Sequence, residues 1–263
     1  MKYALITGAY GGMGLATVDL LVKNGWTVFA LDKKVNSPTQ NVYPIQADLT
    51  SIDSVTNAFF KVKKVTEKLD AVIHFAGIYD LNSLVEIDQD AFDRIFKINV
   101  YGAYYVNKIF LPLLKTGSKI IITTSELAPL DPLPFTGIYA VTKSALEKYA
   151  LSLRMELQLL GIKVAVLRPG AVKTNLLGDS TTALDNFCRD TTLYNCNAKR
   201  FKGIVESVEA KNVKSEKIAK KVNRILSKKN PKPIWNINRN PLLRLLNVFP
   251  KRFQCFVIRK ILK

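Results

Sequence analysis

Thr7-Gly8-Ala9-Tyr10-Gly11-Gly12-Met13-Gly14 is the stretch on which the reading of the chain turns. An apolar run, residues 4–7, leads straight into it, and a helical pattern over 13–24 leaves it. Strand, glycine turn and helix in that order put Gly8, Gly12 and Gly14 where a pyrophosphate must approach backbone amides and a helix N-terminus. A glycine turn alone is equally well explained by a need for positive φ. The discriminating feature is an acid about twenty residues further on. Asp32 supplies it at the end of the second apolar run, 28–32, where a carboxylate can accept both hydroxyls of an adenosine ribose. A 2′-phosphate there would meet like charge, so NAD is favoured over NADP. Lys33 and Lys34 argue the other way, because either ammonium could neutralise that phosphate.

Four more apolar runs, 42–46, 71–75, 120–124 and 164–168, are rich in Val, Ile and Leu without alternation, as strands buried on both faces must be. Between them, 13–24, 51–64, 91–114 and 139–160 space their apolar residues at helical intervals. Strands alternating with helices predict an α/β fold: a single doubly wound parallel sheet with helices on both faces and one large core. One domain over 1–263 is expected, with its core and chemistry in 1–175. Residues 176–235 are read as a substrate lid and connecting helix, and 236–263 as a basic amphipathic tail. The stretch 175–197 is polar and turn-rich, while 215–228 reads as a basic helix ended by Asn230, Pro231, Lys232 and Pro233.

Tyr139-Ala140-Val141-Thr142-Lys143 opens the last long helix, so a phenol and an ammonium stand at i and i+4 on one face. A cation a few Å from a phenol, at an effective dielectric of about 20, is worth roughly two pKa units and makes tyrosine a usable base near neutrality. A YxxxK by itself is common by chance; joined to the glycine loop it is a strong signal.

With both motifs in one chain, residues 1 to about 175 resemble the short-chain dehydrogenase/reductase family, with a Rossmann-like fold. Residues 7–14 match its TGxxxGxG. Asp48-Leu49 resembles the acid that binds the adenine amino group, Asn99 the helix asparagine, and Ser125 the serine closing the fifth strand. Arg168-Pro169-Gly170 resembles the PG turn, and Thr174 the residue holding the nicotinamide carboxamide. The resemblance thus implies cofactor contacts at Thr7, Gly8, Tyr10, Gly11, Gly12, Met13, Gly14, Asp32, Asp48, Leu49, Ala76, Gly77, Tyr139, Lys143, Pro169, Gly170, Val172 and Thr174, and a catalytic set of Asn99, Ser125, Tyr139 and Lys143. In reduction Tyr139 donates a proton to a carbonyl oxygen that Ser125 also hydrogen-bonds. Lys143 lowers the Tyr139 pKa and binds ribose, and Asn99 fixes a water that reprotonates Lys143. The implied activity is interconversion of a secondary alcohol and a ketone. The family's pairing through two long helices implies a homo-oligomer, with Tyr104, Tyr105, Phe110 and Met155 compatible with a partner or with the chain's own sheet.

Two features depart from the family pattern. His74-Phe75-Ala76-Gly77 stands where Asn-Asn-Ala-Gly is usual, and His74, the one histidine, reads as a satisfied structural residue. The 14-residue step from Ser125 to Tyr139, through Pro129, Pro132 and Pro134, is slightly long, which could displace Ser125 and let Thr124 take its place. The HxAG form also resembles sugar-nucleotide epimerases and dehydratases, disfavoured by the short chain and the glycine spacing. A non-catalytic dinucleotide sensor has no need of the Ser125, Tyr139, Lys143 set.

Charge is concentrated at one end: of a net +18, residues 199–263 carry 19 basic side chains against three acidic ones. From Pro241, the leucines and phenylalanines alternate with Arg and Lys on either side of Pro250, and Phe253, Phe256, Val257 and Ile261 form an apolar stripe. Such a tail can lie on an anionic membrane or dock on the lid or a partner subunit. Nucleic acid is not expected, because the aromatics share the apolar stripe. Cys188, Cys196 and Cys255 lack metal-site spacing and read as free thiols, with no metal implied. A strand beginning by Tyr3 leaves no room for a signal peptide, so the expected location is cytoplasmic, peripheral at a membrane if the tail binds one. The apolar side chains scattered through 175–235, among them Leu184, Phe187, Phe201 and Val205, suit a lipophilic small-molecule substrate.

Overall fold

Strands apolar on both faces need cover on both, and the order of the elements supplies it. The computed structural model describes residues 1–173 and 175–263, and side chains except at 175–181, 208 and 209. Strands β1 (Lys2–Thr7), β2 (Trp26–Asp32), β3 (Val42–Gln46), β4 (Leu69–His74), β5 (Leu114–Thr123) and β6 (Lys163–Pro169) lie where the six apolar runs predict them. A short pair, β7 (Val172–Lys173) and β8 (Val213–Lys214), stands apart from the main sheet. The last strand, β9 (Ile234–Ile237), extends that sheet to seven parallel strands in the order β3-β2-β1-β4-β5-β6-β9. β9 corrects the sequence reading, which ended the lid at 235. The prolines read as breakers lie just ahead of it, where Pro233 needs no N–H and its carbonyl still accepts from Val166 N.

The strand order reverses at β1 and β4, which opens a crevice at the carboxyl ends of those strands. Helices α1 (Gly12–Lys23), α2 (Ile52–Lys63), α3 (Gln89–Phe96), α4 (Gly102–Phe110) and α5 (Gly137–Leu157) follow in chain order. Val55, Ala58 and Val62 of α2, Val106 and Phe110 of α4, and Leu146 and Ala150 of α5 pack on one face of the sheet. The long helix expected over 91–114 is interrupted at Lys97–Tyr101 by a π segment, a wider turn often found at functional sites, and it ends before β5 begins at Leu114. Phe110 and Tyr105 pack into the chain's own core, whereas Tyr104 and Met155 are exposed, which divides the side chains considered for subunit contact.

Beyond β7 the chain forms α6 (Asn175–Asp190) and α7 (Asn195–Glu209), two helices where polar, turn-rich sequence was read. Each buries one narrow stripe, Leu184 and Phe187 on α6, Ala198, Phe201 and Val205 on α7, so little apolar periodicity showed. These side chains enclose Leu81 and Phe135 in a cluster of their own. The turn between them is clamped by Glu86, whose carboxylate accepts hydrogen bonds from Thr191 Oγ1 (2.7 Å), Thr192 N (2.8 Å) and Leu193 N (3.0 Å). Those donors, Thr191 first, hold the Glu86 carboxyl down at about 2. Helix α8 (Ser215–Ser227) then covers the other face of the sheet beside α1 through Ile218, Val222 and Ile225, as its basic amphipathic pattern predicts.

The tail forms α9 (Pro241–Leu246) and α10 (Lys251–Leu262), parted at Pro250 as expected. α10 docks on α7: Leu262 and Ile258 join the lid cluster, and Asn197 Nδ2 donates to the Leu262 carbonyl at 2.7 Å. Lys251 pairs with Asp131 in the loop before α5. Among the described residues no helix is long and apolar enough to cross a membrane.

His74 ends β4 fully buried, with Nε2 at 2.9 Å from Asn107 Oδ1; Asn107 Nδ2 in turn donates to the Tyr149 hydroxyl at 3.2 Å. This relay ties β4 to α4 and α5, the structural part read for it. Burial pushes the imidazole down from 6.5 to about 4. Between those values the unfolded chain binds a proton that the folded chain refuses, so stability falls as pH falls. The His74 share is on the order of 2 kcal/mol between about pH 7 and pH 5. Urea unfolding at the two pH values should show this loss in the native chain and a smaller one in His74→Gln; equal slopes would refute the assignment.

Candidate active site

The glycine loop can be built only with glycine at two of its positions. Gly8 has φ +64°, and a Cβ on it would stand 2.6 Å from Ala76 N; one on Gly14 would stand 2.1 Å from the Gly8 carbonyl oxygen. Thr7, buried, stitches the loop to the strand beside it, accepting from Ala76 N at 3.4 Å. α1 starts from Gly11 with no side chain capping it and no acid in its first turn, which leaves its positive end to an anion.

A groove of about 510 Å³ runs over this end. Gly8, Tyr10, Gly11, Gly12, Met13 and Gly14 form its floor, Asp32, Asp48 and Leu49 one end, Ala76 and Gly77 the other. Asp32 Oδ2 accepts from Tyr10 N at 2.9 Å and Oδ1 from its neighbour Lys33 N at 2.7 Å, so its orientation is set by backbone. Asp48 accepts from the hydroxyl (2.7 Å) and the amide (2.9 Å) of Thr50 and pairs with Lys33 at 3.2 Å. Chiefly the Thr50 hydroxyl holds its carboxyl below the usual range. Arg94 and Lys34 also line the groove; Arg94 had no local signal, since its place there comes from α3 folding over the crevice.

A second cavity, of about 200 Å³, opens from the first, with Met13, Phe75, Gly77 and Ile78 lining both. Its polar side is Thr123, Thr124, Ser125, Glu126, Tyr139 and Lys143, and its apolar side is Leu127, Leu133, Phe201, Ile204, Val205 and Leu243. Pro169, Gly170 and Val172 line this cavity and not the groove. Thr174 lies outside the described residues.

Tyr139 and Lys143 line the cavity one turn apart, Lys143 buried and Tyr139 partly buried. The Ser125 side chain hydrogen-bonds the Tyr139 phenol, and the ring of Tyr79 meets that of Tyr139 at 4.6 Å, inclined by 71°. Lys143 Nζ donates to the Thr123 carbonyl at 3.4 Å and lies 5.7 Å from the centre of the Tyr139 ring. Burial pushes Lys143 down to about 8 and Tyr139 up to about 12, the Ser125 hydrogen bond opposing the latter. The expectation that Lys143 brings the phenol below its ordinary value is therefore reversed in this structure. Desolvation penalises both charged forms at once and is the leading cause of each shift; for Tyr139 it outweighs the Ser125 hydrogen bond.

Asn99 sits on the π segment with its amide committed to protein. Its Oδ1 accepts from Ile78 N at 2.8 Å; its Nδ2 donates to the Ile78 carbonyl at 3.0 Å and to Thr142 Oγ1 at 3.1 Å. It thus clamps the strand end to α5, and a Cβ on Gly77 would press at 3.1 Å on Asn99 Oδ1 and 3.2 Å on Lys143 Nζ. The long step from Ser125 to Tyr139 does not displace the serine. Its extra length carries Phe135, at φ +66°, into the lid cluster against Phe187 and Phe201, while Thr124 bonds Glu147 at 3.3 Å. Glu147 is itself paired with Arg168.

Glu126 went unread in the sequence although it follows Ser125. It is buried at the cavity wall, accepting from Asn240 N at 2.6 Å, and burial raises its carboxyl. Leu243 of α9 was equally unforeseen, because its approach depends on how the tail folds back.

Residues 2–185 match the family model described as short chain dehydrogenase. The chain is 33% identical over 208 residues to estradiol 17-beta-dehydrogenase 2 of Mus musculus, across 72% of this chain and 55% of that protein. It spans a similar 55% of the rat protein of the same name, so it matches about half the length of both. Versicolorin reductase stcU of Emericella nidulans is 30% identical over 186 residues, 66% of this chain and 70% of that one. The crystal structure of a short chain dehydrogenase family protein from Francisella tularensis superposes with a TM-score of 0.76 at 25% identity, covering 90% of this chain and 97% of that one.

Proposed function

The chain belongs to the short-chain dehydrogenase/reductase family, and on that premise we propose that it is an oxidoreductase interconverting a secondary alcohol and a ketone, with Tyr139 as general acid and base. One observation carries the reading: Tyr139, bonded by Ser125 and with Lys143 beside it, lines the apolar cavity into which the glycine-floored groove opens.

The family's cofactors are NAD(P) nucleotides, and the residues present fit one: an uncapped helix start over a floor with no room for side chains, and a carboxylate at one end. Gly8 to Gly14 would hold the pyrophosphate, Asp32 the adenosine ribose, and Lys143 the nicotinamide ribose. A nicotinamide bound there supplies hydride to the carbonyl carbon, or accepts it from the alcohol. In the reductive direction Tyr139 gives its phenolic proton to the carbonyl oxygen, and Ser125, already within hydrogen-bond reach of that phenol, donates to the same oxygen as negative charge gathers on it. A phenol raised to about 12 is protonated at neutral pH and so available as the acid, but its phenolate, the base, is scarcely populated. Alcohol oxidation therefore depends on what Lys143, charged below about 8, contributes to the phenolate. Asn99 ties Ile78 to Thr142 of α5, and Gly77 beside it leaves no side chain against Lys143.

The substrate class follows from the cavity wall. Six aliphatic or aromatic side chains from three separated segments face a short polar rim, which suits a lipophilic alcohol or ketone, steroid-like or long-chain. The relatives named for estradiol and versicolorin are in keeping with this. Residues 176–233 would act as the lid over that cavity and 238–263 as the tail, within one domain, and exposed Tyr104 and Met155 would meet a second copy. Light scattering at micromolar concentration should give at least a dimer; monomer alone would count against that pairing.

NAD is proposed over NADP because Asp32 is held by backbone at the groove's end, and because Lys33, one of the cations that could neutralise a 2′-phosphate, is engaged by Asp48. The kcat/KM for NADH should exceed that for NADPH by about tenfold or more, and Asp32→Ala should narrow the gap; a tenfold preference for NADPH would overturn the assignment. Tyr139→Phe keeps the packing on Tyr79 but removes the transferable proton. It should lower kcat by about 10²- to 10⁴-fold with the dinucleotide Kd nearly unchanged, and retained turnover would remove the central claim.

A further inference from the structure

Docking α10 on the lid uses one side of the tail and leaves another bare. Gln254, Ile258 and Leu262, four residues apart, turn inward. Beside them Phe253, Phe256 and Ile261 remain open to solvent, Phe256 by 56%. On α9 and the link to α10, Leu242 (70%), Leu245 (57%) and Val248 (79%) are more exposed still. The rings of Phe249 and Phe253 pack at 4.7 Å, joining the apolar side chains of the two helices. Bare apolar side chains gathered on one short segment mark an interaction surface and not ordinary scatter.

Its charge selects the partner. Residues 241–263 contain Arg244, Lys251, Arg252, Arg259, Lys260 and Lys263 and no acid. Lys251 is paired with Asp131, and the rest of the set flanks the exposed apolar side chains along the helices. A second copy of the tail would bring like charge against like charge across a symmetric contact. An anionic bilayer offers apolar depth for Leu and Phe and negative headgroups for Arg and Lys at its surface.

We propose that the exposed face of α9 and α10 holds the protein on an anionic lipid surface, with α10 docked on the lid as the structure has it. The contact needs no rearrangement, because the side that docks and the side that binds lipid are different residues. Leu243, between the exposed Leu242 and Leu245, lines the apolar cavity, so the bilayer would lie beside the cavity's mouth. That last consequence rests on reading the cavity as the substrate site; attachment to lipid does not.

The test is co-sedimentation of the full chain with phosphatidylcholine vesicles and with phosphatidylcholine–phosphatidylserine vesicles. Two variants are run beside it: Leu245→Gln with Val248→Gln and Phe256→Gln, and Arg252→Gln with Arg259→Gln and Lys260→Gln. All six side chains are outside the docking contacts, and NADH binding by each variant reports that the fold is intact. The full chain should partition about tenfold or more in favour of the anionic vesicles, each variant should lose about tenfold, and added salt should weaken the binding. Negligible binding to both vesicles, equal binding to both, or binding undiminished in the variants would overturn the proposal. So would a change of oligomeric state by light scattering in the apolar variant with vesicle binding unaltered, which would assign the face to a second copy. None of these outcomes depends on turnover, so loss of the proposed reaction and loss of lipid attachment are separable.

Discussion

Burying the Lys143 ammonium against a backbone carbonyl, with no help from a carboxylate in its shift, is the constraint around which the site is arranged. A pKa moved from 10.5 to about 8 corresponds to a destabilisation on the order of 3 kcal/mol for the charged form. The fold tolerates it because Lys143 is on α5, whose other inward residues, Leu146 and Ala150, are part of the large core. The space around the ammonium is set by backbone: Gly77 has no side chain to give, and Asn99 on the π segment locks the neighbouring peptide. Asn99 makes these bonds from within the π segment at 97–101, a wider turn often found at functional sites.

The same desolvation acts on Tyr139, and the two effects pull against each other. A phenol at about 12 keeps its proton and an ammonium at about 8 gives its proton up more readily than usual, so the dry surroundings bias both groups toward their neutral forms. Any cation entering the groove would shift both, in the direction of phenolate for Tyr139 and of the free amine for Lys143. The apolar wall contributed by α7 and α9 therefore does more than shape the cavity, because the dryness it imposes sets the protonation of the residues at its floor.

The lid stands on a different kind of interaction. Among the described residues its helices are held by the stripe of Leu184, Phe187, Ala198, Phe201 and Val205, by Glu86 at their turn, and by α10 along α7. Phe135 belongs to this cluster although it lies on the loop between Ser125 and Tyr139, so α6, α7 and that loop share one hydrophobic anchor. A segment held by few contacts opens at lower free energy than the sheet. This suits a covering element whose opening admits a ligand.

The sequence by itself determined the sheet and the motifs that the sheet carries. Apolar runs between helical patterns place the strands, although β3, read as buried on both faces, is an edge strand with Tyr43 and Gln46 exposed. The spacing from Gly8 to Gly14 fits a tight strand-to-helix turn, and Tyr139 and Lys143 share a helix face by being four residues apart. Each of these is a local pattern, so local rules suffice to read it. The tertiary structure alone decided the rest, since it concerns residues brought together from far along the chain. β9 has neither length nor pattern to announce it and exists because β6 offers an open edge. α6 and α7 are stabilised by Phe135, Leu81 and Leu262, contacts that no window of sequence contains. The sign of the Tyr139 shift depended on how much water the assembled walls exclude. Spacing could place the cation beside the phenol, but only the packed protein could say that burial raises the phenol.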